Sequence, residues 1–260
     1  MRSTRSLAGR GPLYRLYMRR LRRQLAGATH PRHVAMIIDG NRRWARQWGG
    51  SSEHGHRAGA LKVREFVTWC DDANIQVVTL YLLSADNLTG RDSDELAALT
   101  QIIAELADEL SGVRDWRVHH VGSRDGLPAE LCAALERAAT ATDGHPGLHI
   151  NLAVGYGGRR EIVEAVQRII QGHAAGGGSL HDLAEKVTPD HIAEHLYTGG
   201  QPDPDLVIRT SGEQRLSDFM LWQSAHSEFY FVEALGPDLR EVDFLRALRD
   251  FSRRQRRFGQ

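Results

Sequence analysis

Cysteine is scarce in this 260-residue chain: Cys70 and Cys132 stand alone, with no CxxC pair. That excludes a disulfide framework and fits a reducing compartment such as the cytoplasm. Both thiols read as small buried hydrophobes. No apolar run approaches the roughly eighteen residues of a transmembrane helix, and the N-terminus has no apolar core of the signal-peptide kind. Acid is missing from residues 1–25, which hold eight of the 33 basic residues, all arginine. The remainder carries 25 basic against 33 acidic residues, a formal charge of −8, although the whole chain is neutral. A body that acidic is a poor nucleic-acid binder.

Leu13, Leu16, Tyr17, Leu21 and Leu25 recur within the basic segment at helical spacing. Two readings fit: a basic amphipathic helix lying on an anionic inner leaflet, or a frayed extension. Residues 1–30 are therefore set apart as a basic N-terminal extension, with 31–260 as one domain. Beyond it, apolar runs at 34–38, 76–83, 117–121, 148–154, 205–208 and 228–232 read as strands. Amphipathic stretches at 59–72, 93–111, 128–142, 159–171, 180–186, 189–197, 216–224 and 241–254 read as helices, and the glycine-rich 172–179 as a flexible linker. Strands alternating with helices predict an α/β single domain: a central, mostly parallel sheet flanked by helices.

The most informative stretch begins at His33, where the apolar run 34–38 breaks at Asp39-Gly40-Asn41 and leads into Arg42-Arg43-Trp44. An aspartate at the carboxyl end of a buried strand lies where open α/β sheets place their ligands. Gly40 permits close approach, Asn41 can cap the following helix, and the two arginines are forked donors for phosphate oxygens. An ordinary βα turn with solvated arginines fits the same spacing. Segments 39–44, 84–91, 155–160 and 209–217 all follow strands, so the topology predicts that they converge on one sheet edge. Arg209 to Ser217 offers two arginines and three hydroxyls around a glycine, a second anion site. Gly155, Gly157 and Gly158 could cradle a phosphate or form a tight turn. His191 and His195 have the spacing of metal ligands but no HExxH motif, and read as surface residues.

The set HVAMIIDGNRRWAR, GHRAG (55–59), LLSADN (82–87), GYGGRREIV (155–163), DLVIRTSGEQRLSDF (205–219) and RRFG (256–259) closely resembles the cis-prenyltransferases, the family of undecaprenyl and short-chain Z-isoprenyl diphosphate synthases. The resemblance runs from about His33 to the C-terminus. It implies a Mg²⁺-dependent homodimer that condenses isopentenyl diphosphate with an allylic diphosphate, and an apolar tunnel for the growing chain. Asp39 would be the essential metal-holding carboxylate, with Glu228 as the second. Gly40, Asn41, Arg42 and Arg43 match the allylic-diphosphate loop, with Trp44 and His56 beside it. Arg209, Arg215, Leu216 and Ser217 match the isopentenyl-diphosphate site. Ser84, Ala85, Asp86 and Arg91 match further substrate contacts, and Asn87 the position implicated in proton removal, although an amide is a poor base. Arg257 and Gly259 match an element that reaches the neighbouring subunit.

The chain departs from the family pattern in places. Ser52 replaces a common arginine, and Arg42 stands where many relatives have glycine. Asp86 and Leu88 replace Glu and Trp, and one extra residue precedes Arg91. Leu82, with Leu83 and Leu88 nearby, stands where long-chain relatives commonly carry a small residue. That predicts a farnesyl-length product formed from geranyl diphosphate. A long-chain polyprenyl product, a branched or cyclised product, and a non-catalytic partner subunit are the alternatives. The last typically loses the aspartate that this chain keeps at Asp39.

Overall fold

The computed structural model describes residues 11–90, 92–113 and 115–254, with the side chains of Thr89 and Leu180 left out. Six strands form one all-parallel sheet: β1 (His33–Ile37), β2 (Val77–Ser84), β3 (Arg117–Val121), β4 (His149–Tyr156), β5 (Leu206–Arg209) and β6 (Glu228–Phe231), in the order β3-β4-β2-β1-β5-β6. Parallel strands need crossover connections, and helices supply most of them, covering both faces. This is why Val34 to Ile37 of β1 form an unbroken apolar run: with His33, all five residues of the strand are buried.

Side chains alternate across the sheet. Val34, Met36, Val78, Leu80, Ile150, Leu152 and Val154 enter a large aliphatic core, whereas Ala35, Ile37, Ala153, Tyr156 and Val207 enter a smaller one. The large core is closed by α1 (Pro12–Leu25), α3 (Ser52–Asp72), α5 (Ser93–Ser111), α6 (Ala129–Ala141) and α10 (Glu241–Arg253). On the other side lie α7 (Gly158–Ala175), α8 (Leu180–Lys186) and α9 (Pro189–Glu194). Cys70 is fully buried, as expected, while Cys132 is half-buried. Among the described residues no helix is long and apolar enough to cross a membrane.

Three local expectations change. Residues 12–25 are neither free nor frayed: Met18, Leu21 and Leu25 of α1 are buried in the large core. Arg246 of α10 covers the Tyr17 ring at 5.3 Å, and Arg22 pairs with Glu241 at 2.5 Å. The linker expected at 172–179 is helical through Ala175, because α7 continues until Gly176 donates to the Gly172 carbonyl. No helix spans 216–224. Ser217, Asp218 and Met220 have positive φ, which a right-handed helix cannot contain, and only a 3-10 turn, Gln223–His226, follows.

Candidate active site

The parallel sheet brings the carboxyl ends of β1, β2, β4 and β5 to one edge, as the strand–loop order predicts. The first strand delivers Asp39. Its N–H donates to the Thr210 hydroxyl at 2.8 Å, and that hydroxyl donates to the Asp39 carbonyl at 2.8 Å, which locks the turn. Gly40 sits at φ +95°, a left-handed conformation that favours glycine, and a Cβ there would also press on the Leu235 side chain at 2.7 Å. Gly40, not Asn41, is the N-cap of α2 (Asn41–Gln47). Asn41 is the first helical residue, and its amide fills the gap left by Gly59 and Gly236, with Oδ1 buried and without a hydrogen-bond partner.

Arg209 ends β5 in register with Ile37 and reaches back to donate from Nη2 to Asp39 Oδ2 at 2.8 Å. Its Nη1 donates to Ser217 Oγ at 2.7 Å and to the Arg215 carbonyl. Burial pushes the Asp39 carboxyl up. The Arg209 hydrogen bond and charge, the Gly40 N–H and the Arg43 charge outweigh it and hold the group below its ordinary value. Asp39 is therefore an anion at neutral pH inside a cationic frame. Arg43 lies 3.9 Å from Asp39 and 3.5 Å from Glu213, and Glu213 also pairs with Arg215. Across the opening, His56 is buried on α3 and bonded to Glu95 at 3.2 Å, with Arg42 3.9 Å from the same carboxylate.

These groups surround the mouth of a cavity of about 890 Å³. Asp39, Gly40, Asn41, Arg42, Arg43, His56, Ser84, Asp86, Asn87, Arg209, Arg215 and Ser217 line it together with Glu213 and Asp218. Its inner wall is aliphatic: Ala60 and Val63 of α3, Leu82 and Leu83 of β2, and Leu99, Ile102, Ile103 and Leu106 of α5. Asn87 lies in α4 (Ala85–Gly90), a short helix that the sequence reading missed, and its N–H donates to Ser84 Oγ at 3.2 Å. Trp44, Ala85, Leu88 and Leu216 are near in sequence but outside the lining. Trp44 turns away to stack on His54 and to donate to Asp238 at 3.0 Å, and Leu88 packs on the core. Ser51 caps α3, and Ser52 at its start does not line the cavity. Arg91, Arg257 and Gly259 lie outside the described residues.

Glu228 does not join Asp39 within the chain. It opens β6 opposite Leu206, which is itself opposite Val34, so five residues of strand rise, roughly 16 Å at about 3.3 Å each, separate it from the site edge. Its described partner is Arg254. The expected pair of metal carboxylates is thus not assembled in one chain, and the described residues contain no cluster of three or more metal-ligating side chains. His191 and His195 face each other with ring centroids 5.1 Å apart, and His195 bonds to the His191 carbonyl.

The glycines after β4 form a tight turn, not a phosphate cradle. A Cβ at Gly157 or Gly158 would meet Asp218 at 2.9 or 2.8 Å, and the Gly158 N–H donates to the Asp218 carbonyl at 2.7 Å. They let the strained 217–220 loop sit against the start of α7. Beneath it, Tyr156 donates to the buried Glu161 and accepts from the Met220 N–H at 3.1 Å. Glu161 further accepts from Gln223 at 3.0 Å and from the Tyr197 N–H at 2.9 Å. Burial raises the Glu161 carboxyl despite these bonds. Sequence reading passed over Glu161, Tyr156, Glu213 and Glu95; a carboxylate one turn into the GYGGRRE helix was the available signal for the first.

Comparison with known proteins agrees with this geometry. The family model of undecaprenyl diphosphate synthase matches residues 37–259. The chain is 57% identical over 249 residues to a (2Z,6E)-farnesyl diphosphate synthase of Thermobifida fusca, covering 95% of this chain and 97% of that one. It is 51% identical over 252 residues to the Mycobacterium tuberculosis enzyme of the same name, covering 95% and 96%. The crystal structure of lavandulyl diphosphate synthase from Lavandula x intermedia in complex with dimethylallyl diphosphate superposes with a TM-score of 0.82 at 35% identity, covering 89% of this chain and 99% of that one. An all-parallel sheet, a carboxylate clamped by arginine at its edge and a match across nearly the whole chain lead to one conclusion: this protein is a prenyltransferase of the undecaprenyl diphosphate synthase family.

Proposed function

We propose that the protein condenses isopentenyl diphosphate with geranyl diphosphate to give (2Z,6E)-farnesyl diphosphate. The observation that carries this reading is the cavity itself, a charged mouth with Asp39, Arg43, Arg209 and Arg215 on an aliphatic interior. Forked arginine donors suit diphosphate oxygens, and the aliphatic wall suits a prenyl chain. In the reaction the isopentenyl double bond attacks the allylic C1, the C1–O bond breaks with the electron pair leaving on diphosphate, and a proton is lost from C2 of the isopentenyl unit. Arg42, Arg43 and the Gly40 turn hold the allylic diphosphate. Arg209, Arg215 and Ser217 hold the second diphosphate, and the Arg209 bonds to both Asp39 and Ser217 couple the two anion sites. Asn87, an amide beside Ser84, orients substrate.

The donor set fits Mg²⁺, which is commonly bound by one or two carboxylates plus substrate phosphates. Asp39, kept ionised at the mouth, would hold it with diphosphate oxygens. The ion, when bound, supplies Lewis-acid stabilisation of the departing diphosphate. A homodimer is supported by Val163, Val166 and Ile170, which are exposed at i, i+3 and i+7 along α7, an apolar face that a second copy would cover. A cytoplasmic enzyme held peripherally at the inner membrane face is supported by α1. Its arginines 15, 19, 20 and 23 are exposed beside Leu13 at 81% and Leu16 at 65%.

Incubation with isopentenyl diphosphate and dimethylallyl, geranyl or farnesyl diphosphate, followed by product analysis, tests the reading. One condensation onto geranyl diphosphate with Z geometry is the expected result. Chains of undecaprenyl length, a branched or cyclised product, or the lavandulyl diphosphate named for the lavender relative would overturn it.

A further inference from the structure

Tyr81 lines the cavity, and the reaction as proposed gives it no task. It stands where β2 departs from a regular ladder. Tyr81 pairs with Ala153 and Leu83 with Val154, which leaves Leu82 without a partner on β4. Ser84 then pairs with Tyr156, which leaves Gly155 without a partner on β2. Irregularities of this kind re-aim side chains beside active sites. In a regular strand, residues 81 and 84 would point to opposite faces. Here Leu82 and Leu83 both meet the large aliphatic core, and the Ser84 hydroxyl comes back to bond with the Tyr81 hydroxyl. The sheet thus interrupts its ladder twice where these two hydroxyls meet.

The Tyr81 ring stacks on Phe219 at 4.6 Å, and its hydroxyl donates to the Ser217 carbonyl at 3.1 Å. Both partners belong to the segment in which Ser217, Asp218 and Met220 hold φ of +50°, +62° and +47°. Residues other than glycine persist there only when their surroundings over-determine them. Tyr156 and Gly158 brace this segment at Met220 and Asp218, and Tyr81 braces it at Ser217. Burial pushes the Tyr81 hydroxyl up, so it keeps its proton at neutral pH. A carbonyl can only accept, so that proton is committed to Ser217 and the Ser84 hydroxyl is the donor in the other bond. Ser84 Oγ in turn accepts the Asn87 N–H at 3.2 Å. The result is a directed chain from Asn87 to Ser84, to Tyr81 and to Ser217, whose own Oγ accepts from Arg209.

We infer that Tyr81 is a positioning residue for isopentenyl diphosphate: it fixes Ser217 against the Ser84–Asn87 turn, so that the substrate held by the 209–217 loop is presented to Asn87. The inference rests on the proposed assignment of Arg209, Arg215 and Ser217 to that diphosphate. The allylic diphosphate is assigned to the Gly40 turn, Arg42 and Arg43, at the end of β1 and on α2, so the two substrates respond differently when the Tyr81 hydroxyl is lost.

Steady-state kinetics with geranyl and isopentenyl diphosphates compare the unaltered enzyme with Tyr81→Phe, which keeps the ring on Phe219 and removes only the hydroxyl. The KM for isopentenyl diphosphate is expected to rise about fivefold, the scale of one neutral hydrogen bond, while the KM for geranyl diphosphate stays within about twofold. Tyr81→Leu, which also gives up the Phe219 stack, is expected to raise the same KM further. Added to Ser217→Ala, Tyr81→Phe is expected to cost less than about twofold, because the hydroxyl it positions is gone. Equal rises in both KM values would reduce Tyr81 to a support of the fold and overturn the inference. So would an unchanged KM for isopentenyl diphosphate, or effects of Tyr81→Phe and Ser217→Ala that simply multiply. If Tyr81→Leu does not fold, as read from circular dichroism and melting temperature, Tyr81→Phe decides alone. An unaltered enzyme that makes no Z-isoprenyl product would refute the proposed reaction, and this inference with it.

Discussion

The two faces of the sheet are cut from the same strands, yet they do different work. On one face Val34, Met36, Leu80 and Leu152 meet α3, α5 and α10 in a continuous aliphatic core, and the cavity opens between β2, α3 and α5. On the other, the apolar cluster is small and polar groups are buried beside it. His33 donates from Nδ1 to the Pro202 carbonyl at 2.7 Å and accepts at Nε2 from Thr79, whose hydroxyl receives a bond from Asn151. Glu161, Tyr156, Gln223 and Tyr197 form a second buried network nearer the site. Apolar packing leaves an adaptable, lipid-like surface for a chain. A hydrogen-bonded layer has direction and can hold a strained loop in one conformation. The comparison teaches that, in the proposed reaction, the first face would shape the substrate's tail and the second would brace the loop beside its diphosphate.

The largest effect that would break this division is at the edge where both faces meet. Asp39→Ala is expected to lower kcat by about a hundred- to a thousand-fold, the scale for removing one preorganised electrostatic group. It also leaves buried Arg209 unpaired, so Asp39→Asn should be measured beside it. Near-normal turnover in either variant would remove Asp39 from the chemistry. Next in size, Glu161→Ala strips the acceptor from Tyr156, Gln223 and the Tyr197 N–H. A cost of about 1–3 kcal/mol is expected, together with a rise in KM for isopentenyl diphosphate, while kcat and KM for the allylic substrate stay close to unaltered. An equal rise in both KM values would show that the network supports the fold in general and not the 217–220 loop.

The third prediction sharpens the polar face alone. Burial pulls His33 and His149 down to about 4 from the usual value near 6.5. Both are then neutral in the fold and protonated when unfolded between those values, so the unfolded chain binds more protons there. Stability is expected to be fully present above about pH 6.5 and to decline steadily as pH falls toward 4. His33→Gln should flatten that slope in denaturant titrations; an identical slope would mean that His33 does not carry it. The smallest effect concerns the outer surface. Leu13→Ser with Leu16→Ser should weaken binding to vesicles containing anionic lipid and leave turnover on soluble substrates unchanged. Point changes are required because deleting α1 would also remove Met18, Leu21 and Leu25 from the core. Equal vesicle binding by both proteins would count against α1 as a membrane contact.

Much of the molecule is legible in its sequence. The continuous apolar runs, the helical patterns, the break at Asp39-Gly40-Asn41 and the order of strands and helices determined the parallel sheet and its site edge, and the motif set carried the family. These signals are local or depend only on chain order. Tertiary structure alone decided the rest. Gly40 took the cap expected of Asn41 because Leu235 and Gly236 crowd that turn. The helix expected at 216–224 gave way to a loop because Tyr156 and Gly158, some sixty residues earlier, hold Met220 and Asp218. Glu228 was parted from Asp39 by strand register. In α1, one apolar stripe was divided between a docked side and an exposed one. Each of these outcomes depends on which distant group arrives at a position, and spacing along a chain carries no record of that.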